Sequence, residues 1–391
     1  MIELLAPAGD LEKLKIAYLY GADACYIGGE EFSLRARASN FALKEIKEGA
    51  LFAHQLKKKL YVTLNIVPHN ENLKELIPYL KALEEAAVDG VIVASPYILK
   101  MVKAHTNLEA HVSTQQSITN SHAIKFYEQL GAKRIVLARE LSLKEIKEIK
   151  KATKTALEVF IHGGACSSYS GRCTLSNTLT LRDANRGGCA HSCRWLYDVY
   201  SQDKKISQEQ PFSMGAKDLQ TITLVPELIK MEIDSLKIEG RMKSIHYIAT
   251  VVNAYRMLID EFYQKGKISD FSYYEEELLK AENRLTSSGF LKGFVDSQDQ
   301  LYNRHLEIPK QTFVGIVLKT EKELVKLEQR NYFEVGDQLA IFGPNKKPRD
   351  FTLKVMYDEN FQILQVARHP QQIVYIEVPF QVESYDLVRK Q

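Results

Sequence analysis

The sequence predicts an α/β fold, a (β/α)8 barrel of the TIM type followed by a small all-β domain. Three observations predict the barrel: eight short β-rich runs fall within about 240 residues, helical patterns separate most of them, and four helix-to-strand junctions share a similar turn. A doubly wound open sheet is the alternative, but residues 6–10 (APAGD) lack the Gly-rich phosphate turn typical of such sheets. The β-rich runs are residues 2–5, 24–27, 60–65, 91–94, 109–113, 135–138, 157–161 and 235–238.

The segments between the runs carry helix signals. Ser142 and Glu145 form a capping box in front of apolar Ile146 and Ile149, which predicts the start of a helix. An apolar stripe over residues 73–83 predicts an amphipathic helix. The similar turns that end a helix and lead into a strand are residues 21–23, 87–89, 131–133 and 232–234.

Segments outside this repeat divide the chain. About 70 residues separate the seventh run from the eighth, far more than a loop needs. Residues 162–215 are therefore predicted to be an insertion within a barrel domain of residues 1–265. Residues 266–310 are interpreted as a helical connector. From residue 311 to 391, apolar and polar residues alternate between turn signals, which predicts a small C-terminal β-barrel domain.

The composition limits the class of protein. The 391 residues are 45% hydrophobic and 26% charged, and the net charge of +3 gives no global basic field for nucleic acid. The N-terminus lacks the basic and apolar regions of a signal peptide, and no run approaches the roughly 18 apolar residues of a membrane span. We therefore expect a cytoplasmic protein without membrane contact. In a reducing compartment, five cysteines indicate metal or redox chemistry and not disulfides.

Four of the cysteines cluster in the insertion. Cys166, Cys173, Cys189 and Cys193 are separated by six, fifteen and three residues. Four soft thiolates can complete the shell of zinc or of an iron–sulfur cluster. Structural zinc sites use pairs about two to four residues apart, and only the last two of these cysteines have that spacing. The spacing therefore favours an iron–sulfur cluster and leaves zinc as the alternative.

Arginines are concentrated in the same segment. Guanidinium groups would stabilise the negative charge of a cluster, or would bind an anionic substrate through two parallel hydrogen bonds. We take Arg172 and Arg186 as candidate cofactor-binding residues, and a solvated basic loop is the alternative. The arginines of the segment are Arg172, Arg182, Arg186 and Arg194.

Polar residues follow the carboxyl ends of the predicted strands, where barrels carry their active sites. The insertion follows the seventh strand, so it leaves from the same face and places the cysteines beside these residues. Structural alternatives exist: Glu239 and Arg241 could pair to close the barrel, and His162 could be a core histidine. The candidate catalytic residues are Glu30, Asn65, His162, Glu239 and Arg241.

Several stretches resemble the collagenase-like peptidase family, class U number thirty-two. They are LLAPAGDLEKLKIAYLYGADACYIGGEEFSLRA near the start, LARELSLKEI, the cysteine segment, and SLKIEGRMKS. The tail, with FVGIV, FEVGDQLAIFGP and ARHPQQIV, resembles the C-terminal domain of one branch, which includes proteins of 5-hydroxyuridine synthesis in tRNA. The resemblance implies a 4Fe–4S cluster on the four cysteines and, for that branch, prephenate as the oxygen source.

Three functions are open at this level. The first is iron–sulfur dependent hydroxylation of tRNA at the wobble position, with tRNA as partner and an electron-delivering protein as a candidate second partner. The second is the peptidase activity of the family name, although the sequence has neither H-E-x-x-H nor G-x-S-x-G. A cysteine that ligates a metal is also not a free nucleophile. The third is a non-catalytic, cluster-bearing partner protein.

Overall fold

Eight parallel strands close into a barrel in the computed structural model, which describes residues 1–33, 40–207, 211–281, 284–301, 311–321 and 324–390. The eight barrel strands are β1 to β7 and β11. In chain order, the first eleven strands are β1 (Glu3–Pro7), β2 (Ala24–Gly28), β3 (Lys59–Leu64), β4 (Gly90–Val93), β5 (Glu109–Val112), β6 (Arg134–Val136), β7 (Ala156–Gly163), β8 (Tyr200–Ser201), β9 (Lys204–Lys205), β10 (Asp218–Gln220) and β11 (Ser235–Ile238). Neighbours from β1 to β7 pair in order, and β11 pairs with both β7 and β1, which closes the barrel.

Helices cover the outside of the barrel, as a strand–helix repeat requires. They are α1 (Leu11–Leu19), α2 (Leu43–Gln55), α3 (Leu76–Glu85), α4 (Pro96–His105), α5 (Ser121–Gln129), α6 (Leu143–Ala152), α7 (Leu175–Thr180), α8 (Val225–Lys230), α9 (Ile245–Lys265) and α10 (Ser272–Ala281). In the described part of the chain, none of them combines the length and the apolar character that crossing a bilayer requires.

The predicted barrel is confirmed. Each predicted run overlaps one barrel strand, and the ends differ by at most two residues. The junction turns share a left-handed residue, with φ of +111° at Gly21, +60° at Ala87, +108° at Gly131 and +58° at Glu232. This conformation ends a helix while its last carbonyls still find hydrogen-bond donors. The capping box that begins α6 is also present.

The insertion after β7 is built from short elements. These are α7, two 3-10 turns at Ala184–Arg186 and Ser192–Arg194, and the hairpin of β8 and β9. The chain returns through β10, which pairs antiparallel with the end of β7. The connector adds β12 (Thr286–Ser287) parallel to β10. Residues 208–210, 282–283 and 302–310 lie outside the described residues.

The C-terminal domain is all-β, as predicted. Its strands are β13 (Thr312–Glu321), β14 (Leu324–Gln329), β15 (Phe333–Glu334), β16 (Gln338–Phe342), β17 (Arg349–Thr352), β18 (Met356–Tyr357), β19 (Val366–Ala367), β20 (Ile373–Glu377) and β21 (Leu387–Lys390). Seven of them form an antiparallel sheet in the order β17-β16-β21-β13-β14-β20-β18, and β15 pairs with β19. Inward-facing residues such as Val314, Leu327 and Phe333 form a separate apolar core.

Polar and ionic contacts join this domain to the barrel. The Tyr20 hydroxyl of α1 donates to the Tyr385 carbonyl at 2.9 Å. Buried Arg389 of β21 lies 2.8 Å from a carboxylate oxygen of Glu277 in α10. His246 of α9 stacks on Phe313 of β13, with ring centroids 5.8 Å apart. The domain therefore packs on α1, α9 and α10.

His246 makes acid stability a test of this interface. Burial, aided by the charge of Arg389, lowers the pKa of His246 from the ordinary 6.5 to about 3. Between these values the unfolded chain binds a proton that the folded protein does not, so stability falls as the pH drops below 6.5, by about 1.4 kcal/mol per pH unit from this residue. We expect His246→Phe to reduce that dependence, as measured by Tm from about pH 8 down to about pH 4. The difference in Tm between the variant and wild type near the alkaline end of this pH range reports the change in packing alone. If Tm depends on pH equally in both proteins, His246 is not the source of the acid sensitivity.

Candidate active site at the barrel mouth

A cavity of about 170 Å³ opens where the carboxyl ends of the barrel strands meet the insertion. Its walls include Asn65, Glu239 and Arg241 from the ends of β3 and β11. The insertion contributes residues 166–171 and, further along, the remaining cysteines. The structure therefore brings three of the predicted catalytic residues together with Cys166, Cys173, Cys189 and Cys193.

Amide and hydroxyl groups line one part of the cavity. Gln115 lies in the 3-10 turn Thr114–Gln116 after β5, and its side-chain oxygen accepts a hydrogen bond from Asn65 Nδ2 at 3.4 Å. The Ser113 hydroxyl donates to the same oxygen. An amide offers both donors and an acceptor. This part of the cavity can therefore bind the polar edge of a planar ligand.

Arg241 is buried beyond the end of β11, and two neutral side chains accept hydrogen bonds from its guanidinium. Nη1 donates to Ser33 Oγ and Nη2 to Asn40 Oδ1, both at 2.8 Å. The position of the guanidinium depends on Gly28, because a Cβ there would lie 2.1 Å from Nη2. Glu239 accepts a hydrogen bond at Oε2 from the Gly164 amide at 3.2 Å. Both side chains line the cavity.

The contact with Gly28 predicts a large effect of a small substitution. Gly28→Ala should push the Arg241 guanidinium out of position and cost about 1–3 kcal/mol of stability through overpacking. We expect a lowered Tm together with loss of ligand binding in the cavity. Gly49→Ala in α2 is the matched control, because its new methyl would lie 3.2 Å from a Leu14 methyl, away from the cavity residues. If the two substitutions affect ligand binding equally, the position of the Arg241 guanidinium does not determine binding in the cavity.

Arg139 is a second cation of the cavity. Its guanidinium carbon lies 3.9 Å from the centroid of the Phe160 ring, and Nη1 donates to the Gly164 carbonyl. Arg139 forms no ion pair with any described residue, and its buried Nε has no hydrogen-bond partner there. A half-buried cation that forms no ion pair with a described residue favours binding of an anion.

Lys237 reaches the cavity from the barrel interior and begins a chain of charges. Its Nζ lies 2.7 Å from Glu158 Oε1, and Glu158 Oε2 lies 3.1 Å from Arg134 Nη1. The Arg134 guanidinium also binds both carboxylate oxygens of Glu3. The Tyr61 and Ser235 hydroxyls donate to Glu3 at 2.9 and 2.8 Å. A layer that barrels usually fill with aliphatic side chains is thus ionic here.

The environment of this chain shifts its pKa values. Burial would raise the pKa of Glu158, but Lys237 and Arg134 outweigh burial and lower it, so the carboxylate stays ionised. Burial lowers the pKa of Lys237, and the ion pair with Glu158 opposes that shift. Burial also lowers the pKa of His111, which bonds Glu109 at 3.2 Å beside Tyr61.

Two predicted catalytic residues lie elsewhere. Glu30 is exposed beyond the end of β2 and is not part of the cavity wall. His162 is buried between β7 and α9, where its ring packs against Tyr247 and Tyr255 and its Nδ1 lies 3.3 Å from the Tyr255 hydroxyl. Burial lowers the pKa of His162 to about 3. The cavity wall does not include it, so the core-histidine alternative describes its position.

The two arginines predicted to bind a cofactor also lie outside the cavity wall. Arg186 Nη2 bonds Glu71 at 2.7 Å and Asn72 at 3.2 Å, which ties the insertion to the segment before α3. Arg172 is exposed and lines a surface depression that also contains Cys173. Arg172 therefore remains available to a ligand on the outer surface.

Hydrogen bonds from side chains to backbone carbonyls hold three of the four cysteines. The carbonyls of Cys173, Cys189 and Cys193 accept hydrogen bonds from Asn185, Arg182 and Ser213. The pKa of the Cys193 thiol is raised, and burial is the main cause. Ser167 and Arg194 oppose this shift, whereas the neighbouring Cys166 and Cys189 thiols add to it.

The chemistry of this donor set matches a group with four thiolate ligands, because all four cysteines line one cavity and thiolates are the ligands that iron–sulfur clusters and zinc share; the four side chains are not gathered around a single point. Among the described residues, no three His, Cys, Asp or Glu side chains are arranged around a point that a metal ion could occupy. Cys25, the fifth cysteine, is buried in β2 and lies outside this set.

Comparisons with known proteins agree with this architecture. The model of peptidase family U32 matches residues 9–301, and that of the peptidase family U32 C-terminal domain matches residues 309–389. The chain belongs to peptidase family U32. Its relatives include tRNA hydroxylation protein P1 of Bacillus subtilis, 46% identical over 99% of this chain and 94% of that protein.

Two further U32 relatives carry different names. The tRNA hydroxylation protein P of Escherichia coli is 34% identical over 99% of this chain and 96% of its own length. A protein of Porphyromonas gingivalis named collagenase is 32% identical over 88% of this chain and 86% of that protein. Membership in this family therefore does not by itself distinguish a hydroxylase from a peptidase.

Sequence reasoning missed part of this U32 site. Glu158, Arg134 and Glu3 were not among the predicted site residues. The available signal was a single charged residue inside an otherwise apolar strand, as in ALEVFI and SLKI. Such a residue faces either the barrel interior or a helix, and only the closed barrel shows which.

Proposed function

We propose that this U32 protein is an RNA-modifying hydroxylase that forms 5-hydroxyuridine at the wobble position of tRNA with a 4Fe–4S cluster and prephenate. The observation that carries the proposal is the shared cavity, in which four cysteines, buried cations and side-chain amides lie together. The two relatives named tRNA hydroxylation proteins, which align over nearly the whole chain, support the reaction class.

The cavity residues divide into three roles. Cys166, Cys173, Cys189 and Cys193 would hold the cluster, which when bound supplies electron transfer. Arg139 and Arg241 would bind the carboxylates of prephenate, since guanidinium groups match carboxylate geometry. The amides of Asn65 and Gln115 would bind the polar edge of the uracil ring. The small co-substrate and the base would then lie next to each other.

The surface around the mouth suits a single-stranded RNA loop. Arg172 is exposed in the insertion, and the aromatic rings of Tyr169 and Trp195 are 51% and 44% exposed. Unstacked RNA bases bind to exposed aromatic rings, and arginine pairs with phosphate. An enzyme that acts on a base must expose it, so the wobble uridine would enter the cavity while its neighbours contact this surface.

The test is direct reconstitution of the full chain. The protein is loaded with iron and sulfide under anaerobic conditions and incubated with unmodified tRNA, with and without prephenate, before nucleosides are separated by mass spectrometry. We expect 5-hydroxyuridine to form only with loaded protein and prephenate, or only after an electron-delivering protein is added. Unmodified nucleosides in every mixture, together with cleavage of a collagen peptide, would overturn the proposal in favour of the peptidase. Stable binding of another protein without turnover would favour the non-catalytic partner.

A further inference from the structure

The Lys237 ammonium group has N–H donors that form no hydrogen bond with the described residues. Its side chain is 5% exposed, lies in the barrel interior and contributes to the cavity wall. An ammonium group has three N–H donors. Among the described residues its single hydrogen bond goes to Glu158 at 2.7 Å. Donor hydrogens therefore remain for a group that enters the cavity.

Aromatic rings flank this ammonium group. Nζ lies 4.5 Å from the centroid of the Tyr26 ring and 5.3 Å from that of Phe160. Both rings also line the cavity. A flat ligand that approaches the ammonium group between or along these rings gains stacking or edge contacts in addition to a hydrogen bond.

The charge around Lys237 is balanced within the barrel. Lys237 and Arg134 contribute two positive charges, and Glu158 and Glu3 contribute two negative charges, in one continuous chain of contacts. Arg139, which has no ion pair among the described residues, differs from Lys237 in this respect. A cation whose charge is already balanced by a carboxylate favours a neutral acceptor, whereas a cation without an ion pair favours an anion.

We propose that Lys237 donates a hydrogen bond to a ring carbonyl of a pyrimidine base inserted into the cavity. Glu158, Arg134 and Glu3 are positioning residues that hold the Lys237 ammonium group at the cavity floor and neutralise its charge. The inference rests on the proposed function, because it assigns a base-recognition role within the same cavity. It goes beyond that function by separating the base contact at Lys237 from the anion contact at Arg139.

The experiment compares two hairpin RNAs that differ only at the modified position, one with uridine and one with an abasic site. Affinities of the full chain for both are measured by fluorescence anisotropy, so no turnover is needed. Wild type should bind the uridine hairpin on the order of tenfold more tightly, the size of effect that one buried base contributes. Lys237→Met should bind both hairpins with equal affinity.

A charge-balanced variant guards against loss of folding. Lys237→Met leaves Glu158 with one cation fewer, so Lys237→Met/Glu158→Gln is measured as well, with Tm for each protein. Lys230→Met in α8 is the matched control, because it removes another lysine that lies over an aromatic ring, Phe262, but outside the cavity wall, and it should retain the preference for uridine. A preference retained in the double variant would overturn the inference, as would equal binding of the two hairpins by wild type. Failure of wild type to bind either hairpin would instead overturn the proposed function.

Discussion

Replacing Arg134 by methionine is expected to lower the free energy of unfolding by about 3–5 kcal/mol, the usual cost of breaking a buried ion pair by removing one partner. Arg134 lies between Glu158 and Glu3, at 3.1 and 2.5 Å from their carboxylate oxygens. Without it, two carboxylates share the single charge of Lys237. The drop in Tm should be on the order of 10 °C and is measured by calorimetry or circular dichroism.

A double-mutant cycle separates lost packing from lost charge balance. Arg134→Met/Glu3→Gln removes one charge of each sign and leaves the Lys237–Glu158 pair intact. We expect the double variant to be more stable than Arg134→Met alone, with a coupling energy of about 1–3 kcal/mol. If the two changes are additive, the charges do not interact as the distances indicate. Glu3 is the better partner for this cycle because its side chain is 16% exposed, whereas that of Glu158 is fully buried.

The barrel could be predicted because its information is local. The predicted run at residues 91–94 is short and apolar and lies between turn signals, and the turn before it, residues 87–89, begins at a left-handed residue, Ala87. The capping box of Ser142 and Glu145 also acts within four residues. Helix and strand periodicity, turns and caps need no knowledge of distant contacts. For this reason the eight strands were found at nearly their true positions.

The position of His162 depended on a detail that the sequence does not show. Alternation along β7 predicts that Glu158, Phe160 and residue 162 face the same way. The pairing with β11 instead shifts register, since Lys237 pairs with Phe160 and the next residue, Ile238, pairs with His162. The extra residue in β7 is a β-bulge, and a bulge reverses the direction of the side chains that follow. His162 therefore packs toward α9 and not into the cavity.

The charged layer could not be predicted for a related reason. Glu3, Arg134 and Glu158 lie on three strands that are far apart in sequence, and their compensation becomes visible only when the barrel closes. A lone charge in an apolar strand more often marks a strand edge or a solvent-exposed face. The role of the four cysteines as ligands stays a prediction, and it rests on the fact that a set of soft ligands in one segment has few structural explanations.

The second large effect is expected at the cysteines. Cys189→Ala removes one of four thiolates from the cavity wall, and iron binding after anaerobic reconstitution should fall well below that of wild type. Hydroxylation of tRNA should drop by at least about a hundredfold, because loss of groups that only support a metal ligand already costs up to that much. Iron, sulfide and zinc assays with the visible absorption spectrum measure the first effect, and nucleoside analysis measures the second.

Cys25→Ala is the matched control for this prediction. Cys25 is fully buried in β2, away from the cavity wall, and burial raises the pKa of its thiol, so it is a poor ligand. The control should bind as much iron as wild type, although the lost sulfur costs some stability. Four irons retained by Cys189→Ala would show that this residue is not a ligand. If wild type binds stoichiometric zinc and Cys189→Ala does not, the four cysteines form a zinc site and not a cluster site. A redox role at the barrel mouth would then have no support.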